Sequence, residues 1–169
     1  DMSVAVVGCG YWGKNIVRNM AEIGELSAVC DGNADLAAKM ADTYHVTARS
    51  FDDVLQDKSI RGVAIAAPAV MHYDLSKRAI LAGKDVFVEK PLALNLAEAQ
   101  ELCALADQHQ RILMVGHLLQ YHPAYLMLKT MVADGALGRL QYIYSNRLNL
   151  GKIRREENSL WRFAPHDIS

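Results

Sequence analysis

The chain opens on a run of four apolar residues, Val4–Val7, and then breaks into Gly8-Cys9-Gly10-Tyr11-Trp12-Gly13. Such a run suits a strand buried on both faces, as parallel sheets require. Ile16, Val17, Met20 and Ile23 then recur at helical spacing, and Gly24 ends that helix. Leu26–Cys30 reads as a second strand with Asp31 at its end. The alternation continues with a helix over Ala34–Tyr44, a weak strand over 46–48, a short helix over 51–55 and a buried strand over 62–67 closed by Pro68. Helix His72–Leu81 ends at Gly83; strand Asp85–Val88, helix Leu96–Gln108 and a strand over 112–116 complete the series. Strands alternating with helices predict an α/β fold, a doubly wound parallel sheet with helices on both faces.

The glycines give the first turn a chemical meaning. In a G-x-G-x-x-G turn between strand and helix, Gly8 permits the tight bend and Gly10 lets backbone approach a pyrophosphate. Gly13 lets the helix pack closely on the strand. The first N–H groups of that helix and its dipole would hold the diphosphate. Asp31 lies eighteen residues after Gly13, close to the ~20 expected for an acid that binds the adenosine ribose hydroxyls. A lone Asp here could equally cap a helix or a turn; the strand, glycines and helix ahead of it favour the ribose. These features predict a Rossmann dinucleotide-binding domain over residues 1–118.

Asp31 also bears on the coenzyme. A 2'-phosphate ~4 Å from a carboxylate meets repulsion of roughly 4 kcal/mol at an effective dielectric of ~20. Gly32 and Asn33 follow, with no adjacent Arg to receive that phosphate, although Arg49 lies on a neighbouring loop. NAD is expected rather than NADP. A competing motif overlaps the turn: Gly8 to Lys14 also fits the G-x-x-x-x-G-K loop of nucleoside triphosphatases. Asn15 then stands where that loop needs a Ser or Thr hydroxyl for Mg²⁺, so this is a remote alternative.

Composition narrows the rest. The 169 residues are 51% hydrophobic with a formal net charge of -1, which offers no global attraction to nucleic acid or to an anionic membrane. Cys9, Cys30 and Cys103 are odd in number and widely spaced, which suits free thiols in a reducing cytoplasm. No apolar run approaches the ~20 residues needed to span a bilayer. No H-E-x-x-H or Cys/His spacing points to a metal, and His117 and His122 read as pocket or packing residues.

Ligands of doubly wound sheets bind beyond the carboxyl ends of the strands. There the chain offers Ala67-Pro68 after the fourth strand, Glu89-Lys90-Pro91 after the fifth and Gly116-His117 after the sixth. An exposed ion pair is the plain reading of Glu89-Lys90. The glycine turn, E-K-P at the fifth strand end and His166 together make the sequence similar to the Gfo/Idh/MocA oxidoreductases, over essentially the whole chain. Members of that family use NAD(P) to oxidise or reduce secondary alcohols of sugars and cyclitols. The resemblance implies that Lys90 lies beside the nicotinamide and the substrate hydroxyl. To act as a base near neutral pH an amine must lose proton affinity, and burial and the positive ring of NAD⁺ both act in that direction. The family's catalytic histidine corresponds to His166; many members carry Asp four residues earlier, where this sequence has Arg162. Lys90 and His166 therefore both stand as candidate bases.

The same resemblance implies coenzyme contacts at Gly8, Gly10, Tyr11, Trp12, Gly13 and Asp31, with Ala67, Pro68, His72, Glu89 and Lys90 on the nicotinamide side. Tyr121-His122-Pro123, Arg147 to Arg154 and Asn158-Ser159-Leu160-Trp161 look like the branch that oxidises the 3-hydroxyl of UDP-linked N-acetylated sugars or their uronic acids. The implied substrate residues are Lys90, His117, Arg154, Asn158 and His166, with Arg147, Lys152 and Arg155 as further anion partners. Family members are about twice as long and carry a C-terminal α+β open-sheet domain that often forms a homo-oligomer. Residues 140–149 read as one strand of that sheet, and 119–169 as its incomplete beginning. A truncated product that binds NAD but turns over poorly is the expectation. The alternative is a non-catalytic NAD-binding sensor on the same scaffold, against which Lys90 and His166 both argue.

Overall fold

The computed structural model describes residues 3–144. Its first part runs β1 (Val4–Val7), α1 (Gly13–Glu22), β2 (Leu26–Cys30), α2 (Ala34–Tyr44), β3 (Thr47–Ala48) and α3 (Phe51–Gln56). It continues with β4 (Gly62–Ile65), α4 (His72–Leu81), β5 (Asp85–Val88), α5 (Leu96–Gln108) and β6 (Leu113–Val115). The strands form one sheet in the order β3-β2-β1-β4-β5-β6, and every neighbouring pair is parallel. Ala5 stands level with Ala28 and Val63, and Val7 with Cys30 and Ile65.

The two-residue alternation of the strands divides the core into two layers. Ala5, Val7, Val63, Ile65, Val86 and Val88 face Val54, Leu75, Ile80, Leu102 and Ala106 from α3, α4 and α5. Val4, Val6, Val29 and Ala64 face Ile16, Val17 and Ala41 from α1 and α2. Ala5, Val6, Val29, Ala64 and Ile65 are wholly buried, which is why their runs read as continuous rather than alternating hydrophobicity. Burying a side chain the size of Ile65 contributes about 2 to 3 kcal/mol. Helix starts are fixed by side chains that accept orphan N–H groups: Asn33 from Asp35 and Leu36, Ser50 from Asp53, and Asn95 from Glu98.

Element boundaries move slightly from those expected. β4 stops at Ile65, with the Ala66 N–H still donating to the Val7 carbonyl oxygen, β6 is confined to Leu113–Val115, and α3 gains Gln56. Lys84 is buried between the amino-terminal ends of β4 and β5, where its Nζ donates to the carbonyls of Asp57 and Ile60 at 2.5 and 2.7 Å. Burial pushes its pKa below the ordinary lysine range. This is a structural tie at the end of the sheet opposite the glycine turn.

The chain divides into two compact units, Asp1–Gly116 and His117–Ser169. Within the second, a 3-10 turn over Leu118–Tyr121 leads into α6 (Pro123–Ala133), which the sequence reading did not anticipate. His122, expected as a pocket or packing residue, is exposed and caps this helix: its Nδ1 accepts the Ala124 N–H at 3.2 Å, and Pro123 occupies the first turn. Residues 140–144, expected to begin a strand, form none. A strand needs a neighbour for its backbone groups, and none is present among the described residues of this unit. The rest of that expected strand lies outside the described residues. No helix among the described residues is long and apolar enough to cross a membrane.

Candidate coenzyme site

The strand order reverses between β1 and β4, so the crevice beyond their carboxyl ends is where a nucleotide should lie. The glycine turn leaves β1 at that point. Gly8 has φ +92°, and a Cβ there would sit 2.7 Å from the backbone carbon of Ala66. A Cβ on Gly13 would sit 1.8 Å from the Gly8 carbonyl oxygen. These two positions are closed to any side chain by the protein itself. Gly10 is different: it is exposed, and nothing lies within 4 Å of where its Cβ would be. A ligand's approach to the backbone is therefore not blocked at Gly10. α1 begins without a side-chain cap and without an acid in its first turn, so the positive end of its dipole is not neutralised.

Asp31 is attached directly to this turn. Its Oδ2 accepts the Cys9 N–H at 2.7 Å and its Oδ1 accepts the Asn33 N–H at 2.8 Å. It therefore does not cap α2, a task that falls to Asn33, and it holds the second strand end against the glycine turn. Each carboxylate oxygen keeps a further acceptor position for a hydroxyl. Arg49, the nearest conceivable partner for a 2'-phosphate by sequence, is taken: its Nη1 pairs with Asp57 Oδ2 at 2.5 Å. Hydrogen bonds from Ser59 and Arg49 hold the Asp57 carboxyl well below the usual carboxylate range.

On the other side of the crevice, Trp12 Nε1 donates to Glu89 Oε1 at 2.7 Å, joining the glycine turn to the end of β5. Gly116 makes room for that carboxylate, since a Cβ there would meet it at 3.1 Å. Tyr11 is exposed, with the Lys14 ammonium 5.6 Å from its ring centre. Lys90 follows Glu89 at half-buried depth and precedes a cis peptide to Pro91. Pro68 is exposed at the start of the 3-10 turn Ala69–Met71 that feeds α4. His72, expected among the coenzyme contacts, is 1% exposed. Its Nδ1 lies 2.6 Å from the Pro91 carbonyl oxygen and its Nε2 2.8 Å from that of Ala67. Both ring nitrogens thus face backbone carbonyls. His117 heads the second unit, half-buried. Arg147, Lys152, Arg154, Arg155, Asn158 and His166 lie outside the described residues.

The family model described as "Oxidoreductase family, NAD-binding Rossmann fold" matches residues 2–117. The chain belongs to this Gfo/Idh/MocA family. It is 28% identical over 159 residues to the inositol 2-dehydrogenase of Salmonella typhimurium, covering 90% of this chain and 47% of that protein. It is 30% identical over 147 residues to the UDP-N-acetylglucosamine 3-dehydrogenase of Acidithiobacillus ferrooxidans, covering 87% of this chain and 45% of that one. The crystal structure of that UDP-N-acetylglucosamine 3-dehydrogenase superposes with a TM-score of 0.72 at 32% identity, over 76% of this chain and 42% of that chain. Scyllo-inositol dehydrogenase from Lactobacillus casei, solved with NAD(H) and scyllo-inositol, gives 0.75 at 26% identity, over 81% and 42%. The chain spans about half the length of the curated relatives it matches.

Two outcomes follow from the geometry. With a carboxylate, Asp31, at the end of β2 and Arg49 paired with Asp57, NAD should bind at least about tenfold more tightly than NADP. Asp31→Ser should narrow the gap in a calorimetric titration, and equal wild-type affinities would contradict this account of the adenosine end. The second concerns the thiols. Burial, reinforced by the Asp31 carboxylate, pushes the Cys9 thiol up to about 11, and burial pushes Cys30 up to about 12. Cys103 is exposed on α5. At pH 8 only about one Cys9 in a thousand would be thiolate. A disulfide reagent should therefore titrate Cys103 rapidly in the native chain and all three thiols after denaturation; fast native modification of Cys9 would contradict the packing described.

Proposed function

We propose that this chain is the coenzyme-binding part of an NAD-dependent dehydrogenase that oxidises a secondary hydroxyl of a sugar, the 3-hydroxyl of a UDP-linked N-acetylated sugar or uronate. The observation that carries the reading is the Trp12–Glu89 bond. It joins the glycine turn to the strand end that carries Lys90, which supports a site where the two halves of a dinucleotide lie side by side.

The residues present fit the coenzyme by the open position at Gly10 and the uncapped start of α1. Bound NAD⁺ supplies a hydride acceptor. Gly8, Gly10 and Gly13 let the turn accept the diphosphate, and Asp31 accepts hydrogen bonds from the adenosine ribose. Lys90, on the nicotinamide side, binds the substrate hydroxyl and stabilises charge on its oxygen as the proton leaves; His166 is the partner for that proton. Arg154 and Asn158, with His117, serve the substrate. The 30% identity to an enzyme named as a UDP-N-acetylglucosamine 3-dehydrogenase supports a nucleotide sugar, and the inositol dehydrogenases support the wider class of cyclic polyols.

The test is a panel of UDP-sugars and inositols offered to the full-length protein with NAD, followed by absorbance of the reduced coenzyme. Turnover of a UDP-linked N-acetylated sugar or uronate is expected. Turnover of free inositol alone would overturn the substrate assignment while leaving the coenzyme reading in place.

A further inference from the structure

His72 opens α4, yet its side chain turns inward and is almost wholly buried. A buried polar ring needs partners, and two carbonyl oxygens lie within hydrogen-bond distance of its nitrogens, Pro91 at 2.6 Å and Ala67 at 2.8 Å. In either tautomer one of these contacts is an N–H donating to a carbonyl, and both are when the ring carries a proton on each nitrogen. The two acceptors belong to different loops. Ala67 lies two residues beyond the end of β4, and Pro91 follows Lys90 beyond the end of β5. β4 and β5 are adjacent parallel strands whose ladder ends at the pair Ile65 and Val88. Past that pair the next backbone bond joins Glu89 N–H to the Ile65 carbonyl. The ring thus carries the connection onward, beyond the point where the sheet itself stops holding the two loops in register.

We propose that His72 is a positioning residue: its imidazole ties the Ala67 loop to the Lys90–Pro91 backbone and so sets the geometry of the nicotinamide half of the site without touching the coenzyme. This rests on the coenzyme reading given above. The adenosine ribose end has a support of its own, the Asp31–Cys9 bond, which involves neither His72 nor Pro91, while the Gly8 turn meets the β4 loop through Ala66 and Ala67 backbone rather than through the ring. A side chain that disciplines only the β4 and β5 loops should therefore affect one half of the ligand. A merely structural side chain would weaken both halves together as the fold loosens.

The test compares NAD with ADP-ribose, which has the adenine, both riboses and the diphosphate but no nicotinamide. Titrations use the 169-residue chain and the variants His72→Leu, which fills the space without a donor, and His72→Gln, which keeps a donor. The Leu variant should bind NAD at least about tenfold more weakly while its ADP-ribose affinity stays within about twofold. The Gln variant should fall between. Equal losses for the two ligands, or no loss for either, would overturn the assignment. A wild-type chain that holds NAD no better than ADP-ribose would overturn the placement of the nicotinamide, and this proposal with it. Should neither variant fold, the ¹⁵N-histidine-labelled wild-type chain decides: the protected ring N–H of His72 should shift on adding NAD and stay still on adding ADP-ribose. A shift with both ligands, or with neither, would refute the proposal.

Discussion

Gly13→Ala should unfold or severely destabilise the amino-terminal unit, whereas Gly10→Ala should leave it intact and cripple coenzyme binding. The distinction comes from where each Cβ would go. At Gly13 it would sit 1.8 Å from the Gly8 carbonyl oxygen and 2.8 Å from the Gly8 carbon, both backbone atoms that cannot rotate aside. Relief requires moving α1 away from the β1 turn, and overpacking of that kind costs about 3 kcal/mol or more. For a unit of this size the thermal midpoint should fall by about 10 °C or more. Gly8→Ala should behave similarly, since it combines φ +92° with a 2.7 Å approach to Ala66 and Ala67 backbone. At Gly10 a methyl group meets no atom of the protein. Stability should hold, or rise by a few tenths of a kcal/mol through reduced freedom of the unfolded chain. NAD affinity should nevertheless drop by about tenfold or more, because the methyl group occupies the space left for the diphosphate. Thermal melts and titrations on the three variants check this. A Gly10→Ala chain that binds NAD normally would remove the diphosphate from this turn.

Lys90→Met in the full-length protein should leave NAD binding within a few-fold of wild type and reduce hydride transfer by about 10² to 10⁴. Met keeps the length and apolar stem of Lys, so packing at the half-buried end of β5 is disturbed little. What disappears is the ammonium that the proposed function sets against the substrate hydroxyl. Single-turnover kinetics separate this from a binding defect: the chemical step should slow while saturation by substrate changes less. A variant that transfers hydride within about threefold of wild type would take Lys90 out of the chemistry and leave His166 as the base.

Much of this was legible in the linear sequence, for identifiable reasons. Strands buried on both faces must be continuously apolar, so Val4–Val7 and Gly62–Ile65 announce themselves. The special glycines were legible because the turn needs conformations and approaches that other residues resist. Long-range partnerships were not. Trp12 and Glu89 are 77 residues apart, and nothing local marks them as a pair. His72 reads as an ordinary first-turn residue until the fold brings the Ala67 and Pro91 carbonyls to its ring edges. Arg49 reads as a free cation because its partner, Asp57, lies beyond an intervening helix. α6 escaped notice because it is apolar nearly all round, with Leu126, Met127, Leu128 and Val132 exposed, so no 3.6-residue stripe stands out. Residues 140–144 show the reverse error: β-type composition predicts a strand, but a strand exists only with a neighbour to pair with.

The most direct test of the central claim is a crystal structure of this chain with NAD bound. The account predicts the diphosphate over Gly10 and the first turn of α1, the adenosine ribose on the Asp31 carboxylate and the nicotinamide ring beside Lys90. A diphosphate bound away from the Gly8–Gly13 turn, or a nicotinamide ring directed away from Lys90 into solvent, would contradict it.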